Sequence, residues 1–122
     1  MTIGVGLDAV EVDRFRRVLA RTPGVADRVF TAGERAYGSL ARDPAQRLAA
    51  RFAAKEAAMK ALGVGIGTVG WHDIEVVRSE SGAPWLRVTG RAAALAAEQG
   101  VTAWRVSITH TEVAAEAVVV TT

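Results

Sequence analysis

Residues 51 to 60, Arg-Phe-Ala-Ala-Lys-Glu-Ala-Ala-Met-Lys, run into Gly63-Val64-Gly65-Ile66-Gly67 and carry the types and spacing that chemistry needs. Of fifteen basic residues in the chain only two are lysines, Lys55 and Lys60, and both lie within four positions of Glu56. A carboxylate between two ammonium groups, beside a mobile glycine loop, suits a divalent cation held together with phosphates. Asp8, at the end of Gly4-Val5-Gly6-Leu7-Asp8, supplies a second carboxylate, and Gly4 and Gly6 would let another backbone or a ligand come close. Magnesium takes hard oxygen ligands and keeps several waters, so Asp8 and Glu56 plus substrate phosphates suffice for it. The same residues have a plainer reading, with Asp8 as a helix cap and Glu56 as the ion-pair partner of Lys60.

Lys60, close to the glycine loop, is placed for direct phosphate contact, a role that suits a flexible point charge. Lys55 projects into an apolar helix face. It reads either as an ammonium near Glu56 and a phosphate or as a side chain snorkelling out of a half-buried helix. Gly63-x-Gly65-x-Gly67 follows a helix rather than opening one, so it is no Walker or dinucleotide loop; helix termination, flexibility and close approach to a ligand are its uses. Ser107-Ile108-Thr109-His110-Thr111 offers hydroxyls and an imidazole, with His110 better suited to donating to a phosphate than to a Ser-His hydrolase. His72 is assigned no role.

These groups need elements to hold them. Residues 2 to 8 read as a strand, and residues 9 to 21 as a helix with Val12, Phe15, Val18 and Leu19 inward and Arg14, Arg17 and Arg21 on another face. Thr31 and Glu34 form a capping-box pattern for a helix to about residue 40. Asp43, Pro44 and Gly63 mark the cap, first turn and end of the next helix. Residues 71–78 and 85–89 read as a hairpin about 81–84, 91–99 as a helix, and 101–109 with 112–120 as a second antiparallel pair. This order predicts an α+β domain with a mainly antiparallel sheet packed against helices.

With 122 residues, half of them hydrophobic, the chain is expected to be one domain with a true core. Without cysteine it has no disulfides, thiolate metal sites or cysteine nucleophiles. Neither a membrane span nor a signal peptide is read, which points to the cytoplasm. Residues 14 to 51 hold nine arginines against Asp27, Glu34 and Asp43, a local balance of +6 within a net charge of +2. One face is therefore expected to meet an acidic partner. A non-catalytic module binding nucleic acid is the alternative, although few aromatics interleave with the arginines and no nucleic-acid-binding signature appears.

Gly4–Asp8, Arg51–Ala61 and Ser107–Thr111 together resemble the three signature segments of the holo-acyl-carrier-protein synthases, the small bacterial branch of the 4′-phosphopantetheinyl transferases. The similarity covers essentially the whole chain. It implies that coenzyme A donates 4′-phosphopantetheine to a serine of an apo acyl carrier protein and that adenosine 3′,5′-bisphosphate leaves. It implies further that Asp8 and Glu56 hold magnesium on the diphosphate and that Lys60 contacts it. Glu56 is the candidate base, and Arg51 and His110 are partners for the 3′-phosphate. Gly63, Gly65 and Pro84 lie in loops that match the family's in type and join the coenzyme A site. The first helix, through Arg14, Arg17 and Arg21, would dock the carrier, and a homotrimer with sites between neighbours is expected. A catalytically idle homologue that scaffolds a carrier is the remaining alternative. Residues 31 to 46 carry no diagnostic signal.

Overall fold

A computed structural model describes residues 1–122 and is α+β. The chain runs through β1 (Gly4–Glu11), α1 (Val12–Arg21), α2 (Val25–Val29), α3 (Ala32–Ser39) and α4 (Pro44–Ala61). A 3-10 turn (Trp71–Asp73) leads into β2 (Ile74–Arg78) and β3 (Pro84–Val88), followed by α5 (Gly90–Glu98), β4 (Trp104–His110) and β5 (Ala114–Thr121). Two antiparallel sheets result, one of order β1-β5-β4 and one made of β2 and β3.

Helix α4 is the axis. Alanine, the strongest helix former, holds it together and keeps its surface small. Ala53, Ala54, Ala57, Ala58 and Ala61 are all buried. Strand β1 lies directly on this surface because it carries no side chain at two facing positions. A Cβ on Gly4 would sit 2.0 Å from the Ala61 carbonyl oxygen, and one on Gly6 would sit 1.8 Å from that of Ala57. One apolar cluster joins α4, β2 and α5 to the inner face of the three-stranded sheet. A second joins α1, α2 and the start of α4. Between them Phe15, Phe52 and Trp71 stack in a row, with centroids 5.1 and 5.3 Å apart.

Several local readings shift. Strand β1 continues three residues past Asp8, so Asp8 is mid-strand and caps nothing; the helix after it starts at Val12. Helix α2 was not legible from the sequence, being barely more than a turn, and it forms because Val29 and Phe30 are buried beside Phe15. Val18 is 40% exposed rather than inward, since α1 leaves one flank uncovered. The stretch from Trp71 to Asp73 is a 3-10 turn rather than strand. The capping box of Thr31 and Glu34 forms. Asp43 does not cap α4; its carboxylate accepts from Arg16 at 2.5 Å instead. The helix ends at a Schellman-type turn, with Gly63 at φ +75 and the Val64 amide donating to the Met59 carbonyl at 3.0 Å.

The strand-on-helix contact tolerates no added atom. Gly6→Ala is expected to lower stability by about 1–3 kcal/mol by overpacking. Gly65→Ala, where a Cβ meets nothing within 4 Å, should leave it unchanged. Urea denaturation of the two variants beside the parent checks both, and equal midpoints would contradict the close-approach account.

Candidate active site

Alternation along β1 turns Gly4, Gly6 and Asp8 to the same side, so the contact that seats Gly6 on α4 also delivers Asp8 to it. The Asp8 side chain is 11% exposed. Its Oδ1 accepts from Lys60 Nζ at 3.1 Å, while Oδ2 is buried and has no partner. Lys60 also donates to the Leu7 carbonyl at 2.9 Å and is half exposed, leaving one of its three protons free. Glu56 sits one turn earlier on α4. Burial first, then hydrogen bonding to and repulsion by Asp8, push its carboxyl up to about 7, with Lys60 pulling the other way. Lys60 thus pairs with Asp8, and two carboxylates face each other with a deficit of positive charge between them. No cluster of three or more metal-ligating side chains exists. A cation here would rest on two carboxylates and on oxygens brought by a substrate.

Two clefts meet at Glu56. One, of about 260 Å³, lies under the glycine loop and is lined by Glu56, Met59, Lys60, Val64, Gly65 and Ile66. Gly63 makes the turn without lining the cleft. The other, of about 510 Å³, is an apolar groove along α1 that includes Val10, Arg14, Phe15, Val18, Phe52 and Glu56. Arg14 therefore lines the same groove as Glu56. Arg17 and Arg21 are exposed farther along the same helix, and none of the three forms an ion pair, unlike Arg16, which is held by Asp13 and Asp43.

Arg51, Pro84 and His110 do come together, in a separate pocket of about 270 Å³ that also takes in Tyr37, Arg47, Arg78 and Gly82. Arg51 and Glu56 are five positions apart, which places them about 140° apart around α4 and about 7.5 Å along it. This pocket shares no residue with either of the two Glu56 clefts. Ser107 and His110 do not form a pair: Ser107 lines a shallow outer pocket with Leu7 and Thr109, whereas His110 faces the arginines. The His72 ring contacts the Asp27 carbonyl and takes no part in either pocket.

Lys55 neither joins the site nor snorkels. It is wholly buried, pairs with Glu34 at 2.7 Å, and donates to the Trp71 and Ile74 carbonyls at 3.0 and 2.5 Å. Burial lowers its pKa and Glu34 opposes that. Glu34 also accepts from the Val76 amide at 2.9 Å. Sequence reasoning saw Glu34 only as a cap. The available signal was Lys55 itself, since an ammonium on an apolar face requires a buried carboxylate. Tyr37, Arg47 and Arg78 were missed as well.

The family model for the 4′-phosphopantetheinyl transferase superfamily matches residues 4–120. A holo-[acyl-carrier-protein] synthase of Frankia casuarinae is 54% identical over 118 residues, covering 97% of this chain and 95% of that protein. Among solved structures, the holo-[acyl-carrier-protein] synthase of Neisseria meningitidis superposes with a TM-score of 0.89 at 32% identity, covering 100% of this chain and 99% of that one. The Bacillus anthracis holo-(acyl-carrier-protein) synthase, solved in complex with CoA (3′,5′-ADP), gives 0.82 at 32% identity, covering 99% and 96%. The chain belongs to the 4′-phosphopantetheinyl transferase superfamily, in its holo-acyl-carrier-protein synthase branch, and is an enzyme.

The Glu56 carboxyl has a definite pH signature. Its folded value of about 7 lies above the ordinary 4.5, so folding favours the protonated form. That stability is fully present below about pH 4.5 and is lost as pH rises through about 7. In metal-free buffer, Glu56→Gln should therefore be more resistant to urea than the parent above pH 7, the gap closing toward pH 5. Parallel pH profiles for the two proteins would refute this.

Proposed function

We propose that this chain transfers 4′-phosphopantetheine from coenzyme A to a serine hydroxyl of an apo acyl carrier protein, in the cytoplasm and with magnesium, the whole chain acting as one transferase domain. The observation that carries the reading is the Asp8–Glu56 pair, with one buried carboxylate oxygen unpartnered, at the meeting point of two clefts.

The donor set fits magnesium: two hard carboxylates, one of them with an oxygen that lacks any partner, and space for substrate oxygens. Asp8 and Glu56 would hold the ion, and when bound it would polarise the phosphoryl oxygens and neutralise charge on the departing phosphate. Lys60 is kept beside Asp8 with a proton to spare for the diphosphate. Glu56 is the candidate base that takes the serine proton as the serine oxygen bonds to the phosphorus bearing the pantetheine arm. The bridging P–O bond breaks, and adenosine 3′,5′-bisphosphate leaves. Positioning of the two substrates is the protein's main contribution. Gly65, with no side chain, leaves the cleft open beside Lys60, and Gly63 sets the turn that brings the loop there.

Arg51, His110 and Pro84 take the 3′-phosphate end of the donor. Their pocket lies on another side of α4 from the carboxylates, which supports a site completed between neighbouring copies. Strands β1 and β5 support the same reading, because Val5 and Leu7 lie exposed on the sheet's outer face in register with Val120 and Val118. A homotrimer closes such an interface without leaving it open. The carrier, an acidic protein rather than a nucleic acid, meets Arg14, Arg17 and Arg21, and the apolar groove beside Arg14 receives its uncharged contacts.

Incubation with coenzyme A, magnesium and an apo carrier should add about 340 Da to the carrier, the mass of phosphopantetheine. No gain in mass across several carriers would sink the proposal. Glu56→Gln should cut turnover by about 10²–10⁴-fold while keeping a cooperative unfolding transition. The docking face is tested separately: Arg14→Glu should raise KM for the carrier and flatten its dependence on salt, with KM for coenzyme A little changed.

A further inference from the structure

Three elements converge on the pocket of Tyr37, the single tyrosine of the chain. Helix α4 brings the guanidinium carbons of Arg47 and Arg51 each to 4.1 Å from the Tyr37 ring centroid. Strand β2 brings Arg78 to 5.6 Å from that centroid, where it donates to the Tyr37 hydroxyl. Strand β4 ends at His110 in the same pocket. Arg47 is pinned further by a 2.9 Å hydrogen bond to the Tyr37 carbonyl. Gly82 leaves the room that Arg78 occupies, since a Cβ there would lie 3.2 Å from its guanidinium.

The three cations have no carboxylate. None of Arg47, Arg51 and Arg78 takes part in an ion pair, and the nearby Glu34 is committed to Lys55 and to the Thr31 and Val76 amides. Arg51 is buried, with its Nε lacking any partner. Gathering like charges around a neutral ring costs free energy that a bound anion would offset. A ring face attracts guanidinium groups through its quadrupole, and a phenol oxygen accepts from one, so tyrosine can fix several without neutralising them.

We infer that Tyr37 is a positioning residue that holds Arg47, Arg51 and Arg78 open as a cradle for a phosphate dianion. Resting on the function proposed above, that dianion is the 3′-phosphate of coenzyme A, and Arg78 and Arg47 are ligands additional to Arg51 and His110. Tyr37 touches the phosphate only through the arginines. Its own environment is consistent with this: desolvation raises the phenol, but the hydrogen bond from Arg78 and the charges of Arg47, Arg78 and Arg51 bring it below its ordinary value of 10. A bound dianion would draw those charges to itself and release the phenol upward.

Because Tyr37 is the only tyrosine, its ionisation can be followed by tyrosinate absorbance in the intact protein. The titration is run alone, with saturating coenzyme A, and with saturating dephospho-coenzyme A, binding of each being verified by calorimetry. Coenzyme A should raise the midpoint by about one unit, a tenfold change, and dephospho-coenzyme A should not. If both bind and neither moves the midpoint, the role of Tyr37 is overturned while the transferase reading stands. If coenzyme A does not bind, both fall together. Kinetics supply the second readout. Tyr37→Leu should raise KM for coenzyme A about tenfold and reduce its preference over dephospho-coenzyme A, and Tyr37→Phe, which keeps the ring, should lie between Leu and the parent. An equal rise in KM for both donors would mark a purely structural residue and overturn the inference.

Discussion

Everything at the carboxylate site depends on β1 touching the backbone of α4. The strand runs antiparallel to the helix, with Gly4 against Ala61 and Gly6 against Ala57. Two strand residues advance about 6.7 Å and four helix residues about 6 Å, so the two repeats stay nearly in step over this short contact. The next step carries Asp8 toward the turn of α4 that begins at Ala53, with Glu56 and Lys60 bordering the same track. Side chains at positions 4 or 6 would lift the strand, and Asp8 would leave hydrogen-bonding reach of Lys60. The pairing of the two carboxylates is therefore a packing consequence of two absent side chains. The elevated Glu56 carboxyl follows from it, because burial and Asp8 both come from that contact.

The two lysines divide along the same helix. Lys60 emerges at the strand's edge and stays half exposed, free to meet a ligand. Lys55 points to the other side and braces α3, α4 and β2 through Glu34 and two carbonyls. Breaking a buried pair of this kind typically costs about 3–5 kcal/mol, because the surviving charge is stranded. The brace also bears on the arginine pocket. The β2–β3 hairpin is a separate two-stranded sheet, and the Glu34 contact to Val76, the Lys55 contact to Ile74 and the Thr31 contact to Glu75 fasten it to the helices alongside the apolar packing of Ile74, Val76 and Leu86. Arg78, Gly82 and Pro84 are carried on that hairpin, so a wholly buried lysine helps set a pocket it never touches.

The sequence was legible where a signal is local and opaque where a partner is distant. Proline 44 and Gly63 bracket α4 because each fixes its own backbone. Thr31 and Glu34 announce their helix for the same reason. Asp8, Glu56 and Lys60 stood out by chemistry, and the structure brings all three together. Asp43 was read as a cap because it precedes Pro44, yet Arg16, twenty-seven residues away, claims its carboxylate. Glu34 looked like a cap and is one, but its partnership with Lys55 spans α3 to α4 and leaves no periodic trace. Tyr37 lies in the very stretch that carried no diagnostic signal. Its importance comes from three arginines on two other elements, and no spacing in one segment can encode that.

The proposed donor site is electrostatically divided, and the division bears on how it would work. At one end, Arg47, Arg51, Arg78 and His110 present a surplus of donors that attracts an anion unaided. At the other, Asp8 and Glu56 repel a diphosphate, and Lys60 alone cannot reverse that. On the proposed reading, an ion of opposite charge would accompany the diphosphate there, whereas the arginine end would need none. Binding energy from the remote phosphate is thus available before the reacting phosphorus is correctly charged, and it can hold the donor while the acidic end is assembled. Remote binding used in this way supports orientation at the reacting centre rather than affinity alone. Arg51 and Glu56, five residues apart on one helix and turned to different sides, would let a single rigid element set the two functions in neighbouring sites at once.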